Sequence, residues 1–182
     1  IYTSLNNKQQ RKLQKSLDST LSGFTEKQSD GRYAVQGAAV CVDNETGYVT
    51  AIVGGRGKKD QYNRAYLAKR QPGSTIKPLL DYAPAFETGE YYPSKIMSDH
   101  PIANGPKNAG GSYRGNVSMR EAIARSINTI AYQTLYGIGV DTGLAYLDSL
   151  QFNSISYVDN NNLSIALGGF TNGVRVVDMA KG

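Results

Sequence analysis

Apolar positions along the chain fall into runs with different periods. Leu13, Leu17 and Leu21 recur every four residues among lysines and glutamines, which predicts an amphipathic helix over residues 7–22, stopped by Gly23. Residues 24–34 are polar and loop-like. The longest apolar run, Ala38-Ala39-Val40-Cys41-Val42, lies within residues 36–43, followed by the turn chemistry of Asn44-Glu45-Thr46-Gly47 and by β-formers over residues 48–53. That order predicts a β-hairpin. The first strand is apolar on both faces, which predicts a strand covered on both sides.

Beyond the hairpin the period changes. Pro72-Gly73 ends whatever precedes it, and Pro78 is tolerated only in a first helical turn. A helix over residues 74–88 therefore begins at Ser74 or Thr75, and Pro84 either kinks or shortens it. Residues 89–116, rich in Gly, Pro, Asn and Tyr, predict a long irregular connection of the kind that often lines a site. Residues 118–136 return to helical spacing, with Met119, Ile123, Ile127 and Ile130 on one stripe. Asp141 is placed to cap a helix through Leu144, Leu147 and Leu150. A polar loop over residues 153–164 and a last helix starting near Val176 complete the reading. The layout is α+β. Two strands make no stable sheet alone, so they must pack on helices or pair with further strands.

Composition narrows the chemistry. The chain has 182 residues, 40% of them hydrophobic, with a formal net charge of +5. That is one ordinary domain or part of a larger one, and a domain of this size buries roughly 70% of its unfolded surface without covalent staples. One cysteine, Cys41, excludes an internal disulfide framework, and with His100 as the lone histidine a Cys/His zinc site is excluded too. A Ser-His-Asp triad would have to use His100, which sits in a Pro/Gly-rich stretch. The basic surplus includes Arg56-Gly57-Lys58-Lys59 and Lys69-Arg70 but no long run, and reads as solvated surface rather than a nucleic-acid patch. Gly54-Gly55-Arg56-Gly57-Lys58 lacks the first glycine and the closing Ser or Thr of a phosphate loop. No apolar run approaches a membrane span, and no signal peptide opens the chain. Ile1 in place of a start methionine leads us to expect a longer parent protein.

The candidate chemistry is a serine nucleophile. In Ser74-Thr75-Ile76-Lys77 a hydroxyl and an amine share one face at a helix start. A serine hydroxyl needs a neighbouring base, and a lysine held neutral by burial or by another cation can be that base. The helix start adds N–H groups where an oxyanion would form. With 15 serines and 11 lysines, one Ser-x-x-Lys is expected by chance, and an N-capping serine beside a surface lysine is the plain alternative. Two Ser-x-Asn triplets occur, Ser4-Leu5-Asn6 and Ser126-Ile127-Asn128. The plain alternative for the second is a back-bonded helix serine and a solvent-facing asparagine.

Context separates these readings. Arg70-Gln71-Pro72-Gly73-Ser74-Thr75-Ile76-Lys77-Pro78 resembles the active-serine segment of class A penicillin-binding proteins, the bifunctional peptidoglycan synthases. Arg120-Glu121-Ala122-Ile123-Ala124-Arg125-Ser126-Ile127-Asn128 resembles their second motif, in the same order. Residues 1–14 resemble the family's lead into the transpeptidase domain, and residues 36–56 its first hairpin, ending in Val-Gly-Gly-Arg. Tyr62-Asn63-Arg64-Ala65 resembles the approach to the serine helix. Leu167-Gly168-Gly169, Gly173-Val174 and Met179-Ala180 resemble the later helical region, so the likeness spans nearly the whole chain.

The resemblance implies a penicillin-binding protein/β-lactamase-like fold, an antiparallel sheet packed with helices, incomplete here. It implies that Ser74 attacks the penultimate D-Ala carbonyl of a stem peptide ending in D-Ala-D-Ala, and that Lys77 takes the serine proton. Ser126 would relay a proton to the leaving amine, and Asn128 would hold both Lys77 and the substrate amide. No cofactor is implied. β-Lactam antibiotics would acylate the same serine. An upstream glycosyltransferase domain, a membrane anchor and a location on the outer face of the bacterial cell membrane are implied for the full-length protein.

One departure matters. The family's third motif, Lys-Thr-Gly or Lys-Ser-Gly, is not found; the late lysine is Lys181, followed by Gly182. Residues 1–182 are therefore expected to be the N-terminal portion of a single transpeptidase domain, and on their own to turn over no stem peptide. Two alternatives stay open: a DD-carboxypeptidase or β-lactamase-type hydrolase using the same residues, and an inactive penicillin-binding-like sensing or scaffold module.

Overall fold

The computed structural model describes residues 3–57 and 59–182. Ile1 and Tyr2 of the family-like lead, and Lys58 of the glycine-rich stretch, lie outside the described residues. The chain divides into two compact units, residues 1–70 with 174–182, and residues 71–173.

The first unit is built on the predicted hairpin. Helix α1 (Asn7–Thr20) starts at Asn6, whose side chain accepts the N–H groups of Lys8 and Gln9. Strands β1 (Ala39–Val42) and β2 (Val49–Val53) pair antiparallel, with a bulge between Cys41 and Val42. The open edge of β2 is met by the chain leading into α1. Ser4 Oγ donates to Val49 O and Asn6 N to Thr50 O, while Gln10 exchanges two 2.9 Å hydrogen bonds with the backbone of Ile52. An amide side chain thus completes the ladder that a third strand would supply. All four β1 residues remain half-buried, short of the two-sided cover that the apolar run predicts. A short pair, β3 (Lys69–Arg70) with β6 (Val174–Arg175), runs into helix α6 (Val176–Lys181), where the last helix is predicted. Arg56 is buried rather than part of a solvated basic surface. One guanidinium nitrogen donates to Leu21 O (2.7 Å) and Phe24 O (2.9 Å), just past the end of α1, and the group lies 3.8 Å from the centre of the Tyr33 ring.

The second unit carries the helices. The predicted serine helix forms, but its pitch changes along its length: a 3-10 turn (Gly73–Ile76), a π turn (Pro78–Tyr82), then α2 (Ala83–Glu87). The π turn is how Pro84 is accommodated. Ala83 N–H reaches back to Pro78 O, five residues away, which widens the helix where the proline ring would otherwise crowd the preceding turn. Within the connection read as irregular, β4 (Ile96–Asp99) pairs antiparallel with β5 (Gly115–Ser118). Helix α3 (Met119–Ala124) follows directly, then α4 (Asn128–Ile138) and α5 (Val140–Ser149). The predicted 118–136 helix is therefore two helices. Its apolar stripe still faces inward: Met119, Ile127 and Ile130 are core residues packed with Tyr82, Val117 and Ala131, and half-buried Ile123 lies against them. Gly139, not Asp141, precedes α5, and Asp141 falls in its first turn. The polar stretch after residue 153 winds into two 3-10 turns, Tyr157–Asn161 and Leu163–Leu167. The fold class is α+β as predicted, with the strands in three separate two-stranded antiparallel sheets among the described residues.

Candidate active site

The 3-10 turn sets the first relationship. Its three-residue repeat stacks i over i+3, so Ser74 and Lys77 lie on one face. Ser74 is exposed, and its hydroxyl makes no hydrogen bond among the described residues. Lys77, one turn on, is only 2% exposed. Its side chain crosses to the break between α3 and α4. There Nζ donates to Asn128 Oδ1 (2.7 Å), Ser126 O (2.9 Å) and Ser126 Oγ (3.1 Å).

That break has a definite cause. Helix α3 ends in the double hydrogen bond of a Schellman motif: Ser126 N–H to Ile123 O (3.0 Å) and Ile127 N–H to Ala122 O (2.9 Å). The motif needs a left-handed residue, usually glycine, and Ser126 fills the place with φ of 52°. A serine here turns its carbonyl and hydroxyl toward one amine. Ser126 is therefore not the back-bonded helix serine of the plain reading, and half-buried Asn128 is not simply solvent-facing.

The amine is electrostatically unusual. Burial pulls the Lys77 pKa down from 10.5 to about 8, partly offset by the charge of Asp81. Asp81 is fully buried, and neither of its carboxylate oxygens has a hydrogen-bond partner among the described residues. Burial pushes its pKa well above 3.8, against the pull of Lys77. Three acceptors around Nζ suit an ammonium. Two of them, Ser126 O and Asn128 Oδ1, still suit a neutral amine, whose lone pair could then accept from the Ser126 hydroxyl. The arrangement can pass a proton between Lys77 and Ser126 without moving a heavy atom.

The serine turn is held from the other side by residues 163–171. Gln71 donates through Nε2 to Phe170 O and accepts the Phe170 N–H at 2.8 Å. Gly168, at φ of 85°, lies so close that a Cβ there would collide with the N, Cα and O of Gly73.

All four predicted residues lie in the second unit, and the structure brings Lys77, Ser126 and Asn128 into direct contact. Sequence reasoning missed Asp81, a buried acid four residues after Lys77, and did not single out Lys107 and Asn108 as the residues of the 89–116 connection that meet Asn128. For the connection a signal existed, since residues 89–116 were the stretch expected to line a site.

Comparison with known proteins adds an independent line. The family model for the penicillin binding protein transpeptidase domain matches residues 37–173. Penicillin-binding protein 1F of Bacillus subtilis (strain 168) is 42% identical over 149 residues, which are 80% of this chain and 20% of that protein. Penicillin-binding protein 1A of Clostridium perfringens (strain 13 / Type A) is 36% identical over 168 residues, 82% of this chain and 25% of its own. The crystal structure of Penicillin-Binding Protein 1A from Haemophilus influenzae superposes with a TM-score of 0.69 at 28% identity, covering 82% of this chain and 23% of that one. The chain spans a quarter or less of the length of these relatives.

Proposed function

This chain belongs to the penicillin-binding protein transpeptidase family, and from that premise we propose that it carries the serine acyl-transfer centre of a peptidoglycan DD-transpeptidase. Ser74 is the nucleophile. Its oxygen adds to the penultimate D-Ala carbonyl of a stem peptide while its proton passes to the neutral amine of Lys77. The N–H of Ser74, in the first turn and so without a helical partner, is one donor to the oxyanion. The C–N bond to the terminal D-Ala then breaks, and the leaving amine takes a proton delivered from Lys77 through the Ser126 hydroxyl. An ester on Ser74 remains. Attack by the amine of a neighbouring stem peptide forms the cross-link and returns the serine oxygen its proton. Asn128 holds Lys77 in place throughout. A β-lactam follows the first half of this path and stays on Ser74.

One observation carries the reading: a nearly buried lysine amine, on the turn that presents Ser74, hydrogen-bonded to both Ser126 Oγ and Asn128 Oδ1. We propose further that residues 1–182 are the N-terminal portion of a single transpeptidase domain. The full-length protein would follow the class A pattern of glycosyltransferase domain and membrane anchor, acting on the outer face of the cell membrane. The test is labelling of the full-length protein by a fluorescent penicillin. A long-lived adduct that disappears in Ser74→Ala supports the proposal. No adduct, or one that persists in Ser74→Ala, refutes it, and rapid hydrolytic release would point to a hydrolase instead.

A further inference from the structure

Asn128 does not orient itself. Its carboxamide has a polar atom at each end, and only Oδ1 can accept from Lys77. The other end is fixed by a loop some twenty residues earlier: Asn128 Nδ2 donates to Lys107 O at 2.9 Å. Turned over, the amide would set NH₂ against the lysine donors and oxygen against a carbonyl, losing both bonds. The same loop caps α4. Ile127, the residue before the helix, offers no side-chain cap. Asn108 Oδ1 instead accepts the N–H groups of Asn128 (3.0 Å) and Thr129 (3.2 Å).

Asn108 is in turn held by a buried acid. Asp99, at the end of β4 and 1% exposed, accepts from Asn108 Nδ2 (2.7 Å) and Thr129 Oγ1 (2.5 Å) on one oxygen and from the Arg114 N–H (2.8 Å) on the other. Every bond of this clasp ends on the first turn of α4 or on the loop that closes over it. Burial pushes the Asp99 pKa up, but the donors from Thr129, Asn108 and Arg114 outweigh it and hold the carboxyl below its usual range, so it stays an anion.

We propose that Asp99 and Asn108 are positioning residues for acyl transfer: they hold the Asn128 amide with its oxygen toward Lys77, and so keep that amine in line between Ser126 and the serine turn. This inference rests on the transpeptidase reading. Neither residue touches the reacting atoms, and their effect passes through Asn128.

The experiment measures the rate of acylation by a fluorescent penicillin in the full-length protein, across pH, beside thermal unfolding. Wild-type protein is shown first to label through Ser74, so failure of the transpeptidase reading appears in the wild type and failure of the clasp only in the variants. Asn108→Ala should slow acylation roughly ten- to a hundredfold, the scale of a small misplacement at a reacting centre. It should also move the rising limb of the pH profile to lower pH, because the ammonium loses a neutral acceptor that favours its charged form. Asn108→Asp keeps the helix cap but sets a carboxylate against Asp99, and should be slow as well. The double variant Asp99→Asn/Asn108→Asp exchanges donor and acceptor at the contact between the two residues, while Ser112 O loses the donor it has in Asn108 Nδ2 (3.1 Å), and should be faster than Asn108→Asp while staying below wild type. A wild-type rate and limb in Asn108→Ala overturn the inference. So does a folded double variant no faster than Asn108→Asp.

Discussion

Lys77 Nζ and Asn128 Oδ1 lie 2.7 Å apart although 51 residues separate them in the chain. The contact ties the serine turn to the start of α4, and it does so through a group that burial works to discharge. A buried amine with three acceptors keeps its proton less firmly than an exposed one, yet is never without a partner. That combination makes a base available near neutral pH and lets the same group return the proton.

The first prediction concerns pH. With a Lys77 pKa of about 8, about a tenth of the amines are neutral at pH 7. The acylation rate should therefore climb through neutral pH and level off above about 8, as read from penicillin labelling rates at fixed ionic strength. A flat profile between pH 6 and 9 would remove Lys77 as the base. Lys77→Arg places a group that keeps its proton and should cost roughly a hundred- to ten-thousandfold in rate. Stability carries the matching sign. Lysine in the unfolded chain binds its proton more readily than in the fold, so this group's contribution rises with pH between about 8 and 10.5.

Ser126 separates stability from chemistry. Its φ of 52° suits glycine. Ser126→Gly should therefore be more stable than Ser126→Ala by about 1 kcal/mol, the cost of a side chain in the left-handed region. Both variants lose the hydroxyl and should lose acylation to a similar extent. Paired melting and labelling measurements check this. If the glycine variant keeps full activity, the hydroxyl has no part in proton transfer.

Much of this architecture was legible in the sequence, and what was missed has a physical reason. Apolar spacing located α1, the hairpin and the inward stripe of Met119, Ile127 and Ile130, because burial selects residue type whatever the local pitch. It did not reveal the break at Ser126, since the stripe continues across it and serine is not the residue that usually ends a helix in the left-handed region. The motif residues were found by resemblance, with Ser-x-x-Lys expected about once by chance. Asp99 and Asn108 were invisible for another reason. Their partners lie 9 to 30 residues away, and no local period records such bonds. The β4–β5 pair hid similarly, in a glycine- and asparagine-rich stretch whose ladder is four residues long.

Gly168 tests the backing of the nucleophile. A methyl group there meets the Gly73 backbone, and φ of 85° is unfavourable to any side chain. Gly168→Ala should cost roughly 1–3 kcal/mol from the backbone angle alone. The collision should also push the 3-10 turn that carries Ser74, so acylation at a temperature where the variant is folded should fall well below wild type. Wild-type acylation in a folded Gly168→Ala protein would mean that the turn keeps its geometry without this contact.

Arg56 provides the corresponding test in the first unit, where no catalytic role is involved. A buried guanidinium normally needs a carboxylate, yet Arg56 satisfies one nitrogen with the carbonyls of Leu21 and Phe24 and lies over the Tyr33 ring, 3.8 Å from its centre. These carbonyls follow the last turn of α1, where the helix dipole favours a cation. Arg56→Ala removes a charge-assisted pair and strands two acceptors, and should cost about 2–3 kcal/mol in denaturant unfolding. Arg56→Lys keeps the charge and can reach one carbonyl, but cannot spread a planar face over the ring, so it should recover only part of the loss. Equal destabilisation by the two variants would show that the contact with Tyr33, rather than the charge at the helix end, is what the arginine supplies.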